Sequence, residues 1–196
     1  MIKNNKKNSV LHVLLCGLRG SGKTLLLYRT LIPEWDTANS EITPTPLYHY
    51  EELKYNGKTL GLWDFSGDST VRTMPNFVSR QVEVIGVVFV VNMLDMNDSK
   101  NDEVVNWLGS LESESSLAHS KFAVLLNGSQ ELVRGENYEN LLKKLEPFSL
   151  RLGERFMCRN VNTIMGLGDP GWTVTLDFLI SLSSREKKKP DKNFKN

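Results

Sequence analysis

Eight residues limit this chain more than any other stretch: Gly17-Leu18-Arg19-Gly20-Ser21-Gly22-Lys23-Thr24. They satisfy the pattern G-x-x-x-x-G-K-[ST] and lie between an apolar run, "VLHVLLCG" (10–17), and a helix-like segment, "GKTLLLYRTLI" (22–32). A strand, a glycine-rich loop and a helix in that order make the phosphate-binding unit of an α/β sheet. Glycines let the backbone bend until successive N–H groups point inward at phosphate oxygens. The following helix presents its positive end. Leu18, Arg19, Gly20, Ser21 and Gly22 form the cradle, Lys23 adds a point charge, and the Thr24 hydroxyl is a ligand for Mg²⁺. The loop therefore predicts a nucleoside triphosphate or diphosphate. Alone it does not separate kinases, ATPases and GTPases.

The rest of the chain alternates apolar runs with helical patterns. "VIGVVFVVN" (84–92) and "KFAVLLNG" (121–128) are continuous apolar strands, as expected when both faces of a sheet are covered. "LYHYEELKYNGKTLGLWDF" (47–65) holds two strands around Asn56-Gly57, a strong hairpin signal. "RFMCRNVNTI" (155–164) supplies a sixth strand. "DEVVNWLGSLESE" (102–114), "NYENLLKKLEPF" (137–148, stopped near Pro147) and "WTVTLDFLISLSS" (172–184) read as helices, with Trp107 and Leu108 on a core face. Strands separated by helices imply parallel crossovers. The expected fold is α/β, a P-loop NTPase with a six-stranded, mostly parallel sheet, one antiparallel edge strand, and helices on both faces.

With 196 residues and no internal repeat or linker, one domain is expected over 10–184. It lies between a basic polar tail at 1–9, with three lysines, and a second basic tail at 185–196. No apolar run approaches the ~18–20 residues that span a bilayer, and the opening "MIKNNKKNSV" lacks a signal peptide's apolar stretch. Cys16 and Cys158 sit in strand-like runs and read as buried thiols of a reducing compartment. A cytoplasmic protein is expected. With a net charge of +1, no nucleic-acid partner is expected.

Two later segments narrow the chemistry. "LWDFSGDS" places Asp64-x-x-Gly67 at the end of a strand, where Asp64 is set to hold Mg²⁺ through water and Gly67 to offer its N–H to a γ-phosphate. About twenty residues earlier, "ITPTP" carries Thr45, placed to complete the Mg²⁺ shell when that phosphate is present.

With these residues in view, the sequence resembles the Arf and Arf-like small GTPases over about residues 10–183. "GLRGSGKT", Thr43-Pro44-Thr45, "LWDFSGDSTVR" and "GVVFVVN" come in family order at family spacing, and "GLGDPGWTVTLDFLISL" (166–182) looks like the family's ending. The Trp63-Asp64 pair and Arg72 are particularly Arf-like. The resemblance implies five helices on the sheet, GTP or GDP with Mg²⁺, and partner binding by two switch segments. These would lie around 38–47 (switch I) and 66–80 (switch II), engaging effector and regulator proteins.

Four departures from the family pattern bear on function. The family reads guanine with N-K-x-D, whereas this chain has Asn127, Gly128 and Gln130. Gly128 lacks the aliphatic stem that covers the base. A Gln amide oxygen satisfies only one of the two guanine N–H groups that a carboxylate takes together. Glu131, one step on, is the alternative reader if the loop carries an insertion. Asp68 stands where relatives carry the glutamine that orients the attacking water, and a carboxylate only accepts. Asp68 and Gly67 are the candidate catalytic residues. Arg19 stands where relatives carry Asp: it either projects over the γ-phosphate as a finger supplied in cis, pairs with Asp68, or is solvated. Position 2 is Ile rather than Gly, so no myristoyl anchor is expected. The basic tails remain available for weak contact with acidic lipid. The expectation is a switch with slow hydrolysis; the rival is a pseudo-GTPase interaction module that holds nucleotide constitutively or not at all.

Overall fold

The computed structural model describes residues 9–35, 42–128 and 135–181. Both basic tails lie almost wholly outside the described residues, as do Gln130, Glu131 and residues 38–41 of switch I. Six strands form one sheet: β1 (Leu11–Cys16), β2 (Tyr48–Tyr55), β3 (Lys58–Phe65), β4 (Val84–Asn92), β5 (Lys121–Asn127) and β6 (Phe156–Val161). Their order is β2-β3-β1-β4-β5-β6. β2 runs antiparallel to β3 at one edge, and the other pairs are parallel.

The central strands alternate between two cores, because successive side chains leave a strand on opposite faces. Val13 and Leu15 of β1 and Val88 and Val90 of β4 pack with Leu26 and Leu27 of α1 (Lys23–Leu31) and Trp172, Leu176 and Leu179 of α5 (Pro170–Ile180). Leu14, Cys16, Val87, Phe89 and Val91 face the other way. There they meet α2 (Met74–Ser79), α3 (Asp98–Glu112) and α4 (Glu136–Leu152). Both faces are thus covered, which accounts for the unbroken apolar runs of β4 and β5. Cys16 is buried in β1, Cys158 lies in β6, and both thiols are free. No described helix is long and apolar enough to cross a membrane.

Three local expectations need correction. α4 does not stop near Pro147 but runs on to Leu152, with Pro147 inside it. A proline inside a helix costs about 3 kcal/mol. Leu141, Leu145, Phe148 and Leu152 are all buried on one face, and each buried side chain returns about 1.5–3 kcal/mol, so the stripe wins. α3 begins at Asp98, four residues before the expected start, because the Asn97 side chain caps it by accepting from Lys100 N–H at 2.9 Å. α5 begins at Pro170 rather than Trp172, with Asp169 as its cap, accepting from Trp172 N–H at 3.0 Å.

The β2–β3 hairpin turns at Asn56 (φ 46°) and Gly57 (φ 74°), the left-handed pair that a two-residue turn requires. Its tip is tied to α5. The Tyr55 hydroxyl and the Asn56 amide both donate to Asp177 Oδ1, at 3.1 and 2.9 Å, and Lys58 Nζ donates to the Ile180 carbonyl at 3.1 Å. The clasp fixes the far end of the hairpin whose near end carries Thr45 and Asp64.

Candidate functional site

Gly17–Thr24 links β1 to α1 at the edge where the parallel strands end, the usual crevice of an open α/β sheet. Gly22 has φ 98°, and a Cβ there would meet the Asn127 amide and the Thr163 hydroxyl. No side chain caps the first turn of α1, so its N–H groups are not engaged by a cap. Lys23 is 6% exposed. Its ammonium donates to the Gly17 and Leu18 carbonyls at 2.7 and 3.1 Å and to Ser21 Oγ at 3.2 Å, which folds the loop around it. Burial holds this ammonium below the usual lysine range, against the opposing pull of Asp64.

A cavity of about 500 Å³ opens in front of the loop, within the size range of small-ligand sites. Arg19, Gly20, Ser21, Gly22, Lys23, Thr24, Thr45, Gly67 and Asp68 reach it, together with Ile42–Pro46, Phe65 and Thr70. Leu18 does not: it acts through its carbonyl and packs against the α2–α4 core, because its side chain turns inward as the loop leaves β1. Asn127 also lies off this cavity.

Thr24, Thr45 and Asp64, which come from three elements, converge. The Thr24 hydroxyl donates to Asp64 Oδ2 at 2.6 Å, Thr45 donates to the same oxygen at 3.2 Å, and the two hydroxyls are 3.2 Å apart. Asp64 is fully buried, yet its second oxygen, Oδ1, has no partner. Burial pushes its carboxyl up from the usual range, against the hydrogen bond from Thr24 and the Lys23 charge. An all-oxygen set with one buried, half-satisfied carboxylate beside a phosphate cradle fits Mg²⁺, which is held by one or two carboxylates plus phosphate oxygens.

Gly67 lies flat against the loop; a Cβ there would run into the backbone of Leu18 and Arg19. The next residue also reaches the cavity, but its carboxylate is engaged locally. The Asp68 carboxylate accepts from its own turn, from Thr70 N–H at 2.8 Å and the Thr70 hydroxyl at 2.7 Å, and so caps the 3-10 turn Ser69–Val71. These bonds, chiefly the backbone one, hold the carboxyl below its ordinary range, with Arg19 and Arg72 assisting through space. No hydrogen-bonded Arg19–Asp68 pair forms among the described residues. Arg72 instead stacks 4.9 Å from the Trp107 ring centroid and pairs with Glu103, tying this segment to α3.

At the other end, Asn127 is spent on structure. Its amide donates to the Ser21 carbonyl at 3.1 Å, and its oxygen accepts from Thr163 N–H at 3.2 Å. Gly128 donates its N–H to the Val161 carbonyl. Two ties escaped the sequence reading. Thr163, buried beyond β6, braces Asn127, and Asn92 at the end of β4 donates to the Gly20 carbonyl at 3.2 Å. The one sequence signal for both was position: each is a polar residue just where an apolar parallel strand reaches the crevice.

A family model for the ADP-ribosylation factor (Arf) family matches residues 1–173. Among curated relatives, the chain is 35% identical over 88 residues to ADP-ribosylation factor-like protein 1 of Saccharomyces cerevisiae, covering 45% of each chain. It is 32% identical over 125 residues to ADP-ribosylation factor-like protein 2 of Arabidopsis thaliana, 64% of this chain and 63% of that one. It is 24% identical over 163 residues to ADP-ribosylation factor D of Dictyostelium discoideum, 83% of this chain and 70% of that one. The chain thus spans about half of the first of these relatives and under two thirds of the second. Among solved structures, the Arl6 BBS3 small GTPase from Trypanosoma brucei with the bound nucleotide analogue GppNp superposes with a TM-score of 0.67 at 19% identity. The match covers 87% of this chain and 95% of that one, a likeness of fold.

Proposed function

This chain belongs to the ADP-ribosylation factor family, and on that premise we propose that it is a guanine-nucleotide-binding switch with slow intrinsic GTP hydrolysis. The observation that carries the reading is the meeting of Thr24, Thr45 and Asp64 on one carboxylate oxygen in front of the Lys23 cradle. Thr24, Thr45 and, through water, Asp64 are the residues that would hold Mg²⁺. Held there, the ion would neutralise charge on the terminal phosphates. Gly20, Ser21, Gly22 and Lys23 bind the phosphates, and the Gly67 N–H orients the terminal one. Thr45 and Gly67 flank the open end of the β2–β3 hairpin, one before β2 and one after β3, so a terminal phosphate that engages both couples switch I to switch II. Effector and regulator proteins are the expected readers of that surface.

Hydrolysis is slow in this reading because the carboxylate at the glutamine position caps its own turn, which takes it from the task of orienting an attacking water. The same observation favours a second reading, a module that holds nucleotide constitutively. The domain is taken to run over 10–184 in the cytoplasm, with no nucleic-acid partner. The basic tails add at most weak attraction to acidic lipid, roughly 1 kcal/mol per basic residue near the surface.

Trp63 reports on the switch. It neighbours Asp64, donates to His12 Nδ1 at 3.2 Å, and packs against Tyr48 and Tyr50 at ring-centroid distances of 5.3 and 4.7 Å. Its fluorescence, isolated by subtracting Trp63→Phe, should differ between GDP and a non-hydrolysable GTP analogue. Proteolysis within 38–47 should slow with the analogue. Identical spectra and identical cleavage would select the constitutive module.

A further inference from the structure

The loop presents two cations to the phosphate cavity, and they are held differently. Lys23 is buried and satisfied by three acceptors of its own loop. Arg19 is exposed on the cavity wall, and its guanidinium makes no hydrogen bond or ion pair among the described residues.

The acids near Arg19 are engaged elsewhere. Asp68 is turned onto Thr70. Asp95, which lines a smaller neighbouring cavity together with Arg19, is paired with Lys100 at 2.5 Å. The loop is also oriented. Its Gly22 end abuts Asn127 and Thr163, and its Arg19 end abuts Gly67. In the nucleotide-binding reading Asn127 lies on the base side, which puts Arg19 at the opposite end, where a chain of phosphates terminates. A guanidinium presents a planar fork of donors suited to two oxygens of one phosphate.

We propose that Arg19 is a ligand of the terminal phosphate, so that the loop itself distinguishes a nucleoside triphosphate from a diphosphate. The inference rests on the nucleotide-binding reading above and adds to it a residue that senses the third phosphate. A diphosphate ends short of the Arg19 end of the loop and leaves the fork in water. A triphosphate brings two oxygens and added negative charge to it. Asp68 shares the cavity wall, but its carboxylate is engaged by Thr70 and makes no hydrogen bond to the guanidinium.

The test is a competition titration of fluorescent GDP and a fluorescent non-hydrolysable GTP analogue, at one Mg²⁺ concentration, against wild type, Arg19→Gln and Arg19→Lys. Wild type should favour the triphosphate. Arg19→Gln should weaken the triphosphate about tenfold or more beyond any change for the diphosphate, the scale of a lost charge-assisted contact. Arg19→Lys, which keeps the charge and loses the fork, should fall between. A diphosphate that still binds Arg19→Gln shows that the variant is folded. Equal loss for both nucleotides, or no loss for either, would overturn the role of Arg19 while leaving nucleotide binding intact. Failure of wild type to bind either nucleotide would overturn the nucleotide-binding reading, and this inference with it.

Discussion

At the phosphate end of the cleft, the side chains that face the ligand also hold one another. Lys23 gathers three acceptors of its loop, and Thr24, Thr45 and Asp64 meet on one oxygen. At the base end the described residues hold only the scaffold. Asn127 ties Ser21 to Thr163, and Gly128 has no side chain to offer. Where ligand contacts and fold contacts are the same contacts, a substitution damages both, so such residues resist change. Where they are separate, a base-reading side chain can be replaced with the scaffold intact, and in the proposed reading Gly128 and Gln130 are such replacements.

The contrast can be broken most easily at Lys23. Lys23→Ala should weaken Mg²⁺-nucleotide binding by about 1.5–3 kcal/mol, the worth of a contact to a charged group. Titration with a fluorescent nucleotide measures it, and equal affinity in variant and wild type would remove the phosphate end from the account. Asn127→Ala probes the scaffold role at the opposite end. Two partly buried ties are lost, so nucleotide-free protein should unfold about 1–2 kcal/mol more easily in urea. An unaltered midpoint would mean that Asn127 acts only on ligand.

A smaller effect is expected at Asp68. Asp68→Gln restores a side chain that both donates and accepts, and it should raise single-turnover GTP hydrolysis roughly three- to tenfold. A faster wild type would make Asp68 itself catalytic. The least change is expected at the thiols. Burial pushes Cys158 up to about 12 and also raises Cys16. At pH 8 both are therefore almost wholly protonated, and alkylation should be slow in the native protein and rapid after denaturation. Rapid native labelling of either would show an open strand edge or core.

Much of this was legible because it is carried by local pattern. The continuous apolar runs of β4 and β5 announce strands covered on both faces, and Asn56-Gly57 announces its hairpin. The spacing of Thr24, Thr45, Asp64 and Gly67 anticipates a shared site, and the first three meet within 3.2 Å. What was not legible depends on distant neighbours. The length of α4 is decided by a buried stripe that outweighs Pro147, and α2 is six residues long, too short for a periodic signal. Thr163 and Asn92 gain their roles from partners 36 and 72 positions away. The direction in which Asp68 faces is set by Thr70, a choice among hydrogen bonds that residue type leaves open.

The central claim is that the phosphate end is intact while base reading is relaxed. Competition of GTP, ATP, ITP and XTP for the site at one Mg²⁺ concentration tests it most directly. The account predicts binding of all four through the phosphates, with GTP favoured over ATP by less than about a hundredfold, because one forked base contact is worth about 1–3 kcal/mol. Exclusion of ATP by many orders of magnitude, abolished by Glu131→Ala, would contradict it and assign guanine reading to Glu131.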